Sequence, residues 1–344
     1  METATLNVCF QLVPCSQADW EGDVYRNFVL GLFYRQSATG FATRYAVTDA
    51  VESADLVVIL EPNMFKTREY ASVLWSMQAI QADPARVFTI NYDDAPLAFL
   101  PGIYASMPNK RFEPGFTIAG SYLVDSPNQL LKEPGGLSDL NPDYLFTFRG
   151  APSSPVRNRL LRGSSVICCD PRIARITLVD GWFNHSDAQR REYVEEILRS
   201  KFVLCPRGQG TVSHRLFEVM QLGRVPVIIA DDWVEPPGPH WAEFSLRVAE
   251  SDLFSIPKLL SERESSFWIM AKKSRQAWVK FFAPNTRLSW MLNQLESLKE
   301  LRRNSQVDYR TRWTHRSFYR GNVGPLWSRM RKRLGHLWTS MIGK

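Results

Sequence analysis

Between Cys205 and Ile229 the chain reads CPRGQGTVSHRLFEVMQLGRVPVII. Two arginines and a glutamate, Arg207, Arg215 and Glu218, stand among Gly208, Gly210 and Gly223, with an apolar run on either side. Guanidinium groups offer forked donors that match phosphate oxygens. Glycines let backbone N–H groups come close to a ligand, and a following helix points its positive end at the same place. Thr211 or Ser213 could cap that helix, and Gly223 would end it. Glu218 lies three residues after Arg215, so the two share a helix face. A carboxylate repels phosphate but accepts hydrogen bonds from the two hydroxyls of a ribose. The spacing thus fits a nucleoside diphosphate lying across the loop. It also fits a surface Arg–Glu pair beside a tight turn, and spacing alone does not separate the two.

These residues need a strand before the loop and a strand after the helix. KFVLC and VPVIIA supply them, and in an open parallel sheet ligands bind beyond the carboxyl ends of the strands. The pattern extends in both directions. LNVCFQLV (Leu6–Val13), ADLVVIL (Ala54–Leu60) and RVFTINY (Arg86–Tyr92) read as strands, with helices expected over Glu21–Ser37 and Tyr70–Ala82. Leu100–Asp143 is rich in Pro, Gly and Asn, and periodicity fades there. It resumes with YLFTF, then VRNRLLR as a short helix, ARITLVD as a strand and REYVEEILRS as a helix. Helices near Phe267–Phe282 and Thr286–Arg302 close the body. Strands alternating with helices predict βαβ units and parallel sheets, an α/β fold in two halves. The expected domains are 1–143, 144–304 and a tail, 305–344.

A length of 344 residues and 44% hydrophobic content suit two folded domains. No apolar run approaches the roughly 18 residues that span a bilayer, and the start has no basic segment followed by a long apolar one. Five cysteines without CxxC spacing point to a reducing compartment rather than a disulfide framework. The net charge is +7, but residues 305–344 hold nine Lys/Arg and one Asp, so the tail carries +8 and the body −1. Nucleic-acid binding by the body loses its electrostatic support. In the tail, Trp327, Met330, Leu334, Trp338 and Met341 fall on one helical stripe, with Arg329, Arg331, Lys332, Arg333 and His336 around it. That suits an anionic membrane surface, or a helix that docks its apolar stripe on the protein.

Ser200–Trp233 resembles the signature of the exostosin family of glycosyltransferases. The matching elements are Ser200–Phe202, Pro206–Gly208, Ser213, Arg215, Glu218, Gly223 and Pro226–Val227. LFTFRG (Leu145–Gly150) and FSLRVAESDL (Phe244–Leu253) resemble two further segments of that family, so the likeness spans about Tyr144–Leu260. It implies two Rossmann-like domains facing a cleft, the GT-B arrangement. It also implies an inverting transferase that moves a sugar from a UDP- or GDP-linked donor to a glycan or lipid-linked acceptor. The second domain would hold the donor and the first the acceptor. By motif, Arg207 and Arg215 would contact diphosphate with Gly208 close by. Ser213 would donate from the helix start, Glu218 would hold the ribose, and Arg149 would reach in from its own turn. Arg157 and Arg159, soon after Gly150, join the diphosphate or form a solvated helix face. His214, between Ser213 and Arg215, reads as a packed neighbour.

No Asp-x-Asp occurs, and the five histidines form no HxxxH pair, so no metal is expected. Arginines and the helix dipole would then stabilise the leaving diphosphate. A displacement also needs a base for the acceptor hydroxyl. Asp93 and Asp94, at the end of a first-domain strand, are the candidates, with Glu61 in reserve. A turn role before Pro96 competes with that assignment. Asp231 and Asp232 would shape a turn on the donor side. Other classes remain: an epimerase-like nucleotide-sugar enzyme, which would want a GxGxxG that the chain lacks, and a non-catalytic sugar-binding protein. A cytoplasmic location follows, peripheral on the inner membrane face if the tail binds lipid.

Overall fold

The computed structural model describes residues 5–14, 44–61, 66–122, 128–168, 172–179, 185–303, 309–315 and 318–319, with single residues 31 and 170. The helix expected over Glu21–Ser37, Gly31 apart, and the tail stripe from Trp327 to Met341 lie outside them. The chain divides into two compact units. One comprises Met1–Met107, Glu113–Ile118 and Leu292–Lys344; the other comprises Pro108–Phe112 and Ala119–Met291. The boundary expected at 143/144 therefore falls earlier, and part of the helix Arg287–Arg302 belongs to the first unit.

The first unit is built on a sheet of six strands. They are β1 (Leu6–Leu12), β2 (Tyr45–Val47), β3 (Leu56–Glu61), β4 (Val87–Asn91), β5 (Gly102–Tyr104) and β6 (Thr117–Ala119), in the order β2-β1-β3-β4-β5-β6. β1 runs parallel to β2 and β3, β3 to β4, and β4 to β5. Every residue of β3 and β4 is buried, as expected of parallel strands covered on both faces. The helix expected over Tyr70–Ala82 is two helices, Arg68–Ser76 and Gln78–Ala82, because Met77 adopts an extended conformation between them.

The second unit holds β7 (Tyr144–Gly150), β8 (Ala174–Leu178), β9 (Ser200–Pro206), β10 (Val225–Ile229) and β11 (Leu246–Arg247). Their order is β11-β10-β9-β7-β8, and every neighbouring pair is parallel. β7 has its successor β8 on one side and β9 on the other. The chain thus reverses its winding between β7 and β9, a switch point where open α/β sheets bind ligands. Pro226 pairs with Val203, yet β11 reaches only Val227 and Ile228, so the proline has a strand on one side alone and its missing N–H costs no ladder bond there. Phe146, Phe148, Phe202, Leu204, Val227 and Phe267 belong to the core that holds this sheet. Among the described residues no helix is long and apolar enough to cross a membrane.

Gly102, at the start of β5, has φ +154°, and a Cβ there would lie 2.1 Å from the Thr89 carbonyl oxygen on β4. Gly102→Ala must open the β4–β5 pairing, and we expect a loss of about 3 kcal/mol in stability. Urea unfolding of both proteins measures it; an unchanged midpoint would contradict the tight approach.

Candidate active site

The site is assembled at the carboxyl ends of β7 and β9. β7 ends in Arg149–Gly150, and after a short turn Ser154 caps the helix Pro155–Arg162, accepting from the Arg157 N–H at 3.3 Å. The Ser154 hydroxyl also donates to the Arg207 carbonyl at 2.8 Å, which ties the turn after β7 to the loop after β9. Arg157 is 4% exposed. It donates from Nε and Nη2 to the Pro206 carbonyl, both at 3.2 Å, and from Nη2 to the Ser213 hydroxyl at 3.1 Å. Burial and the nearby Arg215 charge both push its pKa down. Arg157 thus belongs to the glycine loop, not to a solvated helix face. Arg159 is exposed and donates to the Glu250 carbonyl at 2.7 Å.

The helix His214–Gln221 follows the loop. Ser213 holds the N-cap position, but its hydroxyl makes no cap bond; it accepts from Arg157 instead. Neither Gly208 nor Gly210 has positive φ, so left-handed backbone is not what places glycine at either position. At the other end Gly223 has φ +65°, its N–H donates to Met220 O and the Arg224 N–H to Val219 O. That double bond pattern is the glycine stop expected from the sequence.

Arg215 is the centre of the arrangement. It is 8% exposed, and Nη2 donates to the Arg149 carbonyl. Nε and Nη1 are buried without a hydrogen-bond partner. Its guanidinium carbon lies 4.8 Å from the centre of the Phe148 ring, and that of Arg157 lies 5.9 Å from the same ring. Gly150 makes room for this stacking, since a Cβ would meet Phe148 Cζ at 2.8 Å and Arg215 Nη2 at 3.4 Å. Thr211 Oγ1, also buried, has no partner either. Buried donors that lack acceptors are costly; here they sit at a helix start beside a second guanidinium, an arrangement that an anion would complete.

Glu218 accepts from the Tyr193 hydroxyl through Oε2. With Tyr122, Lys132, His214, Gln221 and Arg287 it lines a pocket open to solvent. His214 is the packed neighbour expected, its ring stacked on Tyr122 at 3.7 Å and 15°.

Two of the carried-over arginines are held by carboxylates. Arg149 donates from Nε to Glu196 at 2.9 Å and pairs through Nη1 with Glu192 at 3.1 Å. Its part in this cluster is the backbone carbonyl that receives Arg215. Arg207 forms a two-pronged pair with Glu250, Nε to Oε1 at 2.6 Å and Nη2 to Oε2 at 3.1 Å. Glu250 also exchanges bonds with Asp231, its N–H donating to Oδ1 at 2.9 Å, so Asp231 does shape the turn after β10. Residue type and spacing do not mark Tyr193, Phe148 or Glu250 as partners of these arginines. Glu250 at least lies within the FSLRVAESDL segment, but nothing local points to Tyr193.

In the first unit, Asp93 is 3% exposed, pairs with Lys66 at 3.1 Å and accepts from the Ala95 N–H. Glu61 is fully buried and accepts from Tyr70 at 2.8 Å and Thr89 at 2.9 Å. Both carboxylates are built into a closed polar network, with Asp93 in the turn role that competes with the base assignment. Asp94 is half-buried.

The profile of the Exostosin GT47 domain matches residues 114–262. The chain is 39% identical over 79 residues to an Exostosin-1 homolog of Caenorhabditis elegans, a match covering 22% of this chain and 21% of that protein. It is 47% identical over 70 residues to a probable glucuronoxylan glucuronosyltransferase of Arabidopsis thaliana, covering 20% and 15%. The chain thus spans about a fifth or less of the length of these relatives. Among solved structures, Anabaena Alr3699/HepE in complex with UDP aligns over 86% of this chain and 100% of its own, with a TM-score of 0.45 and 10% identity.

Burial pushes the Cys205 thiol, in β9 beside this cluster, up to about 12. Because the thiolate is the reactive form, Cys205 should resist maleimide at pH 8 in the folded protein and react once the chain is unfolded. Residue-resolved mass spectrometry reads this, and fast native labelling would show the β9 end to be open.

Proposed function

We propose that this chain, which carries an exostosin GT47 domain, is an inverting glycosyltransferase. Its second unit would bind a nucleotide-sugar donor through the loop Arg207–Ser213 and the helix after it. The observation that carries the reading is Arg215, a buried guanidinium with two unpartnered N–H donors at a helix start, next to Arg157. As the bond from the sugar carbon to the diphosphate oxygen breaks, its electron pair stays on the leaving group. Arg215 and Arg157 then face that developing charge with no reorganisation, where such stabilisation is worth most. Glu218, on the same helix, accepts from the ribose hydroxyls. The relatives named probable glucuronosyltransferases favour a sugar-transfer reaction, and donors carrying glucuronic acid belong in the first substrates tried.

The acceptor hydroxyl attacks the opposite face of the sugar carbon and gives its proton to a base. Asp93 and Glu61 are closed in with Lys66, Tyr70 and Thr89, whereas Asp94 keeps part of its surface open, so Asp94 is our candidate for that task. The acceptor is a glycan or a lipid-linked glycan, handled by the first unit in the cytoplasm. The basic tail would bring the protein to an anionic membrane surface.

Hydrolysis of a panel of UDP- and GDP-sugars tests the class. Slow release of one sugar, abolished in Arg215→Gln, is expected; no turnover of any donor together with no binding of UDP or GDP would refute it. Glu218→Ala should weaken nucleoside-diphosphate binding by about 1.5–3 kcal/mol with the fold intact, read by calorimetric titration; unchanged affinity removes Glu218 from the site. Turnover should survive EDTA, since arginines take the place of a cation on the diphosphate. Complete loss restored by Mn²⁺ would contradict that.

A further inference from the structure

We propose that Tyr193 is a positioning residue that fixes the Glu218 carboxylate and thereby sets the site's preference for ribose over 2′-deoxyribose nucleotides. The inference rests on the reading of Glu218 as the ribose contact and names a residue that no motif carries. Tyr193 lies on the helix Asp187–Leu198, twenty-five residues before Glu218, and its hydroxyl donates to Glu218 Oε2. Its ring also sits 5.6 Å from the guanidinium carbon of Arg215. One side chain therefore touches both residues that would grip the two halves of a nucleotide. The same helix supplies Glu192 and Glu196, which hold Arg149, whose carbonyl in turn receives Arg215. The positioning of both functional side chains converges on this one element.

A carboxylate on a helix surface has two or three free torsions. A donor held on the neighbouring helix removes that freedom and settles which lone pairs face outward. Burial and the Glu218 charge hold the Tyr193 pKa well above its usual value, so the phenol remains a donor across the physiological range. A ribose offers two hydroxyls to an oriented carboxylate and a 2′-deoxyribose one. An oriented Glu218 therefore discriminates between them, and a wandering one does so less. Inorganic pyrophosphate, which has no ribose, depends on the arginines alone.

The test is calorimetric titration of the full chain with UDP and dUDP, GDP and dGDP, and pyrophosphate. The wild-type protein should prefer the ribonucleotide by about tenfold or more, the scale of one charge-assisted hydrogen bond. Glu218→Ala should abolish that preference. Tyr193→Phe, which retains the ring against Arg215, should cut it at least about threefold toward unity while pyrophosphate affinity stays within a factor of about two. Melting curves report the fold; if the phenylalanine variant fails to fold, Tyr193→Leu is judged by the same ratio. Full preference in the Tyr193 variant, with loss in Glu218→Ala, overturns the proposal and leaves the ribose reading standing. Full preference in Glu218→Ala refutes the ribose reading itself, and Tyr193 falls with it.

Discussion

Two guanidinium groups share the interior of the second unit, and the rest of the site follows from accommodating them. Arg157 and Arg215 both approach one ring, that of Phe148, at 5.9 and 4.8 Å from its centre. Like charges this close in a low-dielectric interior repel, and each costs several kcal/mol to take from water. Neutral oxygens meet part of that cost: the Pro206 carbonyl and the Ser153 and Ser213 hydroxyls for Arg157, the Arg149 carbonyl for Arg215. Two of the Arg215 nitrogens, Nε and Nη1, have no acceptor among the described residues. Under the proposed function, the diphosphate supplies the acceptors that these donors lack.

The surrounding structure maintains that arrangement from three directions. Ser154 and Arg157 lock the loop after β7 to the end of β9. Glu250 gathers the ends of β9, β10 and β11 by holding Arg207 and exchanging bonds with Asp231. The helix Asp187–Leu198 fixes Arg149 and Glu218 from the flank. Gly150 is the small residue that lets Phe148 and Arg215 stack at all. The candidate groups are few, but each is oriented by a partner from a different element, which is how a preorganised site differs from a patch of charge.

The long parallel strands of both units are legible in the sequence because buried parallel strands are continuous apolar runs. ADLVVIL and VPVIIA need no context to be recognised. The glycine stop at Gly223 is legible for the same local reason. The short strands Tyr45–Val47 and Gly102–Tyr104 are not, since three residues carry no periodicity and their place is set by neighbouring strands. The division of the chain is also hidden: Pro108–Phe112 joins the second unit through the Asn109 N–H to Asp232 carbonyl bond and the bridge from Pro108 to Trp233, contacts across more than a hundred residues. In the candidate site, type and spacing single out Arg207, Arg215 and Glu218. Their partners escape that reading. Glu250 lies 43 residues from Arg207 and Tyr193 lies 25 from Glu218, and a lone tyrosine on an acidic helix announces nothing. Asp93 shows the converse, a carboxylate at a strand end whose burial against Lys66 only the packed structure reveals.

Whether the unpartnered donors of Arg215 are a diphosphate contact is decided by a crystal structure of the protein with a nucleoside diphosphate bound. Phosphate oxygens should then lie within hydrogen-bond distance of Arg215 Nε or Nη1, beside Ser213 and Arg157, with the ribose at Glu218. A nucleotide bound elsewhere, with Arg215 still satisfied only by the Arg149 carbonyl, would contradict it.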